Sequence, residues 1–255
     1  MRRCVRRVRV PLPARLAALS TTACGGAANK KLYPGHYPMT VFQRAFLAGT
    51  SAFTAIADPT RADMVAVLGE TTGTEALRRL HRTMVLDAGG RELLTARPVL
   101  TKESAGFDRL RSLPAGTLGR AYADFMAHHG FSPDGRCAVR FVDDSDLAYV
   151  LTRYRQVHDF WHVLAGLPPT VEAELALKVV EMVQTGLPVT ALAALCGPAA
   201  LSAIQRRHFT RIYVPWALRV GRRAAPLINI WYERQWDVPL EELRRTLRFE
   251  PAPPG

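Results

Sequence analysis

The chain's 255 residues can bury a full core in one domain or two small ones, and 48% of them are hydrophobic. Its formal net charge of +12 is uneven: residues 1–31 hold eight basic side chains and no acidic one, so only +4 remains beyond them and the high pI mostly describes the leader. Cys4, Cys24, Cys137 and Cys196 are widely spaced with no C-x-x-C pair and suggest neither a zinc knuckle nor a disulfide framework.

Residues 1–30 are Arg-rich, free of acids and supplied with Ser20, Thr21 and Thr22, the composition of a mitochondrial transit peptide. The apolar run Leu16 to Leu19 is too short for a secretory signal, and no basic-aromatic platform downstream supports a nucleic-acid-binding arm, so no nucleic acid is expected as a partner. From residue 31 to 255 the pattern is that of one all-α domain with short Gly/Pro punctuation. Helices are predicted over Val41–Ile56, Thr74–Asp87, Thr117–His129, Ser145–Ala165, Val171–Thr185, Pro198–Arg219, Arg222–Gln235 and Pro239–Leu247. In the second of these, Leu77, Leu80, Met84 and Val85 read as a core stripe opposite Arg78, Arg79 and Arg82. Leu93–Pro114, with Pro98, Gly106 and Pro114, reads as an irregular connection. Met182–Gln205 has no charged side chain, but Gly186, Pro188, Gly197 and Pro198 would break a spanning helix. A buried hairpin is the expectation there, with an interfacial segment or the wall of a lipid pocket as alternatives.

The chemistry lies in the fourth and fifth predicted helices. At about 100° per residue, taking His158 as zero puts Asp159 near 100° and His162 near 40°, so two imidazoles and a carboxylate share a sector. Gly166 can stop that helix, Pro168 and Pro169 prevent its continuation, and Thr170 can cap the next, on which Glu174 returns. His158, Asp159, His162 and Glu174 are therefore candidate ligands of one divalent metal ion. Imidazole and carboxylate donors without thiolate suit Zn²⁺, Fe²⁺, Co²⁺ or Mn²⁺. Taken singly, each histidine is an ordinary helix residue; four potential ligands within seventeen positions are what favour a metal. Arg155, near 60° on the same wheel, reads either as a clamp on a substrate carboxylate or, slightly preferred, as an i,i+4 partner of Asp159. Lys178 and Glu181 share a face with Glu174, but charged faces are usually solvated, and both are left outside the site.

L-Y-P-G-H at Leu32–His36, D-M-V-A-V-L-G-E-T-T-G at Asp63–Gly73, F-V-D-D at Phe141–Asp144, R-Y-R-Q-V-H-D-F-W-H at Arg153–His162, V-Q-T-G-L-P at Val183–Pro188 and V-P-W-A at Val214–Ala217 together carry a resemblance. From about Leu32 to Phe249 the chain resembles the ubiquinone (coenzyme Q) biosynthesis protein family whose members carry an H-D-x-x-H…E zinc motif. The resemblance implies an all-helical protein, peripheral on the matrix side of the mitochondrial inner membrane, working in the multi-subunit complex that builds ubiquinone. It implies Zn²⁺ on His158, Asp159, His162 and Glu174. It further implies decarboxylation of 4-hydroxy-3-methoxy-5-polyprenylbenzoate to 2-methoxy-6-polyprenylphenol, with a non-catalytic, lipid-binding organiser of the complex as the alternative. Phe160 and Trp161 fill the motif's two variable positions, where the bulk of Trp161 bears on packing beside the metal. An H-D phosphohydrolase would need a further upstream His and downstream Asp, and His81, His128, His129 and Asp237 give no such context.

Overall fold

The computed structural model describes residues 31–57 and 61–254; the expected transit peptide over residues 1–30 lies outside them. Among the described residues the fold is all-α, with one isolated β-bridge between Thr117 and Pro239. In chain order the helices are α1 (Val41–Ala57), α2 (Ala62–Thr72), α3 (Thr74–Leu86), α4 (Ala88–Ala96), α5 (Lys102–Ala105), α6 (Phe107–Ser112), α7 (Leu118–His129), α8 (Ser145–Ala165), α9 (Val171–Thr185), α10 (Pro188–Cys196), α11 (Ala203–His208), α12 (Val214–Arg223) and α13 (Leu240–Leu247).

The central helix is α8. Asp144 caps it by accepting from the backbone N–H groups of Asp146 and Leu147, and it is buried around nearly its whole circumference, as expected of a helix without a wide polar face. It packs against α3, α7 and α9. On its core side, Phe160 stacks on Tyr122 at 4.3 Å and on Tyr232 at 4.8 Å between ring centroids, while the indole N–H of Trp161 donates to the Tyr232 hydroxyl. The two variable motif residues thus face the core. On α3, Leu77, Leu80 and Met84 are buried as the stripe predicts, whereas Val85 is exposed.

Two predicted helices come out differently. The one over Pro198–Arg219 starts only after Ser202, which caps α11, and passes through a π-helical turn at Phe209–Tyr213 before running on to Arg223. Pro215 lacks an N–H and its ring would collide with the preceding turn, and a wider turn relieves both. The helix predicted over Arg222–Gln235 is absent. The chain has already left the helix at Ala224, which is extended, and Pro226 removes a donor and biases Ala225 away from helical geometry, so only 3₁₀ turns at Leu227–Asn229 and Tyr232–Arg234 follow. Leu93–Pro114 also holds more helix than predicted, namely the end of α4, then α5 and α6.

Met182–Gln205 is not a buried hairpin. Its α10 lies against α9 and α2 with Leu195 78% exposed and Cys196 at the surface. No helix among the described residues is long and apolar enough to cross a membrane.

Candidate metal site

The last two turns of α8 and the first turn of α9 build the site. Gly166 ends α8 in the left-handed region at φ 68°, donating its N–H to the carbonyls of His162 and Val163. Such a conformation is nearly free only for glycine. The chain then turns through Leu167, Pro168 and Pro169, and Thr170 opens α9 by accepting from the Ala173 N–H. Glu174 is thereby returned to the face of α8 that holds the histidines.

His162 Nε2 lies 3.1 Å from Glu174 Oε1 and His158 Nε2 lies 3.5 Å from Oε2. Donor atoms of His158, His162 and Glu174 all fall within 4.8 Å of one another. The other nitrogen of each ring is already used. His162 Nδ1 faces the Leu167 carbonyl at 3.0 Å, which only accepts, so this nitrogen carries a proton. His158 Nδ1 lies 2.6 Å from the Glu181 carboxylate and donates to it. In the neutral rings both lone pairs therefore sit on Nε2 and both point at the Glu174 side, the arrangement a metal-binding histidine needs. Glu174 is about one-third exposed, which leaves the site open to solvent from that side.

Asp159 stands apart from this trio. It is turned to Arg136, with Oδ1 2.5 Å from Nη2, so three of the four expected ligands are brought together and the fourth is held by a guanidinium. Arg155 does not pair with Asp159 either. It donates to Glu70, to the Ala66 carbonyl and to the Cys137 carbonyl, while Glu70 accepts from the N–H groups of Arg140 and Phe141. This fastens α8 to α2 and to the segment before α8, in place of the slightly preferred pairing with Asp159.

Behind the site is a buried network that the sequence reading set aside. Glu181 is completely buried and accepts from Lys178 Nζ at 2.8 Å, from His158 and from the Tyr154 hydroxyl. Burial works to raise the Glu181 carboxyl, but Lys178 and His158 outweigh it and hold it down at about 2. Burial likewise works to raise Glu174, and hydrogen bonds from His158 and His162 outweigh it, leaving its carboxyl far below the usual range. For His158, burial and Lys178 disfavour the imidazolium, yet Glu181 and Glu174 prevail and raise it. Burial and then Glu181 push the Tyr154 hydroxyl well up, so it stays a donor. A sequence signal for Glu181 exists: it is a lone carboxylate between Val179, Val180, Met182 and Val183, where a solvated face is implausible.

Three donors of this type suit a borderline divalent ion and leave coordination positions for water or substrate, which a closed four-ligand site would not.

The chain matches the family model described as coenzyme Q (ubiquinone) biosynthesis protein Coq4 over residues 33–253. It is similar to the mitochondrial ubiquinone biosynthesis protein COQ4 homolog of Bos taurus, at 46% identity over 222 residues covering 87% of this chain and 84% of the relative. The corresponding protein of Schizosaccharomyces pombe is 44% identical over 231 residues, covering 89% and 85%. A crystal structure from Nostoc punctiforme superposes with a TM-score of 0.63 over 80% of this chain and 97% of that one; at 23% identity it bears on the fold alone.

Proposed function

The chain belongs to the coenzyme Q (ubiquinone) biosynthesis protein Coq4 family, and we propose that it serves mitochondrial ubiquinone biosynthesis as a metal-dependent decarboxylase. In this reading it removes the carboxyl group from ring carbon 1 of 4-hydroxy-3-methoxy-5-polyprenylbenzoate, giving 2-methoxy-6-polyprenylphenol. The observation that carries the proposal is that donor atoms of His158, His162 and Glu174 lie within 4.8 Å of one another while Glu174 stays about one-third exposed. A divalent ion held there, Zn²⁺ in the reading that the family resemblance implies, would supply positive charge against which a bound phenolate or carboxylate is stabilised. Carbon dioxide leaves, its bonding electrons stay on the ring, and a proton takes its place at that carbon. Glu181 and the Leu167 carbonyl keep the two imidazoles in the tautomer that presents Nε2.

We place the protein at the matrix face of the inner membrane, within the complex of ubiquinone-biosynthesis proteins. Support comes from α1, where Phe42, Phe46 and Phe53 fall within about 40° of one another on the helix and are 81%, 66% and 76% exposed. An aromatic face of this kind can rest on lipid where a polyprenyl substrate resides. The removal of residues 1–30 as a transit peptide is part of the same proposal.

The test is carbon dioxide release from the polyprenyl hydroxybenzoate by purified protein, metal-stripped and metal-reconstituted, with metal content measured in parallel. His158→Ala and Glu174→Ala are expected to lose both metal and turnover. Folded variants that keep stoichiometric metal and normal turnover would overturn the assignment, and metal binding without turnover in the unaltered chain would leave the organiser reading.

A further inference from the structure

The end of α12 and the end of α13 face each other across a cleft of about 790 Å³ lined by Arg222, Arg223, Arg244, Arg245, Arg248 and Phe249 among others. It stands on different elements from the histidine site. Only two carboxylates reach its walls, and both are engaged: Glu241 pairs with Arg244, and Glu250 with Arg219 and, at 3.8 Å, with Arg223. The side chains of Arg222, Arg245 and Arg248 are exposed and form no hydrogen bond or ion pair among the described residues. The cleft is firmly built. The Ala225 N–H donates to the Leu247 carbonyl at 2.9 Å, the Trp216 indole N–H to the Glu250 carbonyl at 3.1 Å, and Arg244 Nε to the Leu164 carbonyl at 2.8 Å.

Arginines that converge on one concavity without partners repel one another unless an anion enters, and a guanidinium fork matches the oxygens of a phosphate better than a lysine would. The volume is of the order of small-ligand sites, about 300–1,000 Å³, and the cleft is open on its outer side, so a phosphate can be reached by several guanidinium groups at once. We propose that this cleft binds a phosphate group, carried either by a lipid headgroup or by a free phosphorylated compound.

The test compares the full chain with its Arg222→Gln/Arg245→Gln/Arg248→Gln variant, so that the basic residues 1–31 contribute equally to both. Inorganic pyrophosphate is titrated calorimetrically, and flotation is measured with phosphatidylcholine vesicles with and without phosphatidic acid. The variant is expected to bind the phosphate probe at least about tenfold more weakly while Arg82→Gln, an exposed substitution on α3, binds normally. Loss seen with pyrophosphate identifies a free phosphate compound, and loss seen only with phosphatidic acid identifies a headgroup. Should the triple substitution unfold the chain, Arg222→Gln and Arg248→Gln taken singly decide, each expected to weaken binding severalfold. Equal binding by variant and unaltered chain overturns the proposal, as does binding of polyglutamate but of neither phosphate probe.

Discussion

With its carboxylate fully buried, Glu181 accepts from His158, Lys178 and Tyr154 together, so it fixes through Nδ1 the imidazole whose Nε2 the proposed metal would take. Glu181→Gln should lower divalent-metal affinity roughly 10- to 100-fold, the usual effect of losing the partner behind a ligating histidine, as read by competition with a chromogenic chelator. It should also cost the metal-free fold about 3 kcal/mol near neutral pH, because Lys178 and His158 lose a buried counter-charge. Its folded carboxyl is held at about 2, below the ordinary 4.5, so the contribution is complete above pH 4.5 and fades as pH falls toward 2. The variant's urea stability should therefore depend less on pH over that interval; an unchanged acid limb would show that Glu181 does not carry it. Asp159 offers a complementary test. Because it is committed to Arg136, Asp159→Asn should retain stoichiometric metal and lose about 1 kcal/mol of stability, Arg136 being partly exposed. If it loses metal as His158→Ala does, Asp159 must leave Arg136 to become a ligand. Helical spacing made the shared sector of His158 and His162 readable in advance. It could not show that Asp159 and Arg155 would find partners on other elements, Arg136 and Glu70, since a wheel gives direction but not what stands there.

At the scale of elements, what was legible was what local chemistry decides. Gly166, the two prolines and Thr170 do stop α8 and start α9 where their side-chain chemistry requires. The failures begin at local signals the apolar pattern masks, Pro215 and Pro226, and packing then completes them: Leu227, Ile228 and Asn229 fill the core from a 3₁₀ turn, and Arg153, fully buried, holds the following turn through a two-pronged contact with Glu233. No periodicity of the Arg222–Gln235 segment distinguishes that from an amphipathic helix. The α8–α9 turn makes a direct prediction. A Cβ at Gly166 would meet nothing closer than Arg244 Nη2 at 3.8 Å, so Gly166→Ala is penalised by its positive φ alone, about 1 kcal/mol in urea unfolding. A loss several times larger would mean that the turn's position, and not merely its conformation, depends on that glycine.

Over the molecule as a whole, the quoted motifs prove to be ties between distant segments: Tyr33 donates to the Val142 carbonyl, His36 contacts Asp143, Gln184 donates to the Gly221 carbonyl, and Trp216 reaches Glu250. These contacts fasten the N-terminal segment to the stretch before α8, α9 to α12 and α12 to the C-terminal segment, so the motifs that carry the resemblance are spread over nearly the chain while the proposed chemistry occupies three residues. What the ties leave unpaired is the outer face of α1, which packs chiefly on α2 and turns three phenylalanines outward. If that face rests on a bilayer, each ring buries an apolar surface worth about 1.5–3 kcal/mol, and no helix needs to enter the hydrocarbon. Alkaline carbonate should then release the protein from mitochondrial membranes, and Phe42→Ser/Phe46→Ser/Phe53→Ser should reduce flotation with neutral phosphatidylcholine vesicles at least about tenfold, without changing metal content at His158, His162 and Glu174. Retention in the carbonate pellet would point to an integral protein, and undiminished flotation of the triple variant would move the lipid contact away from α1.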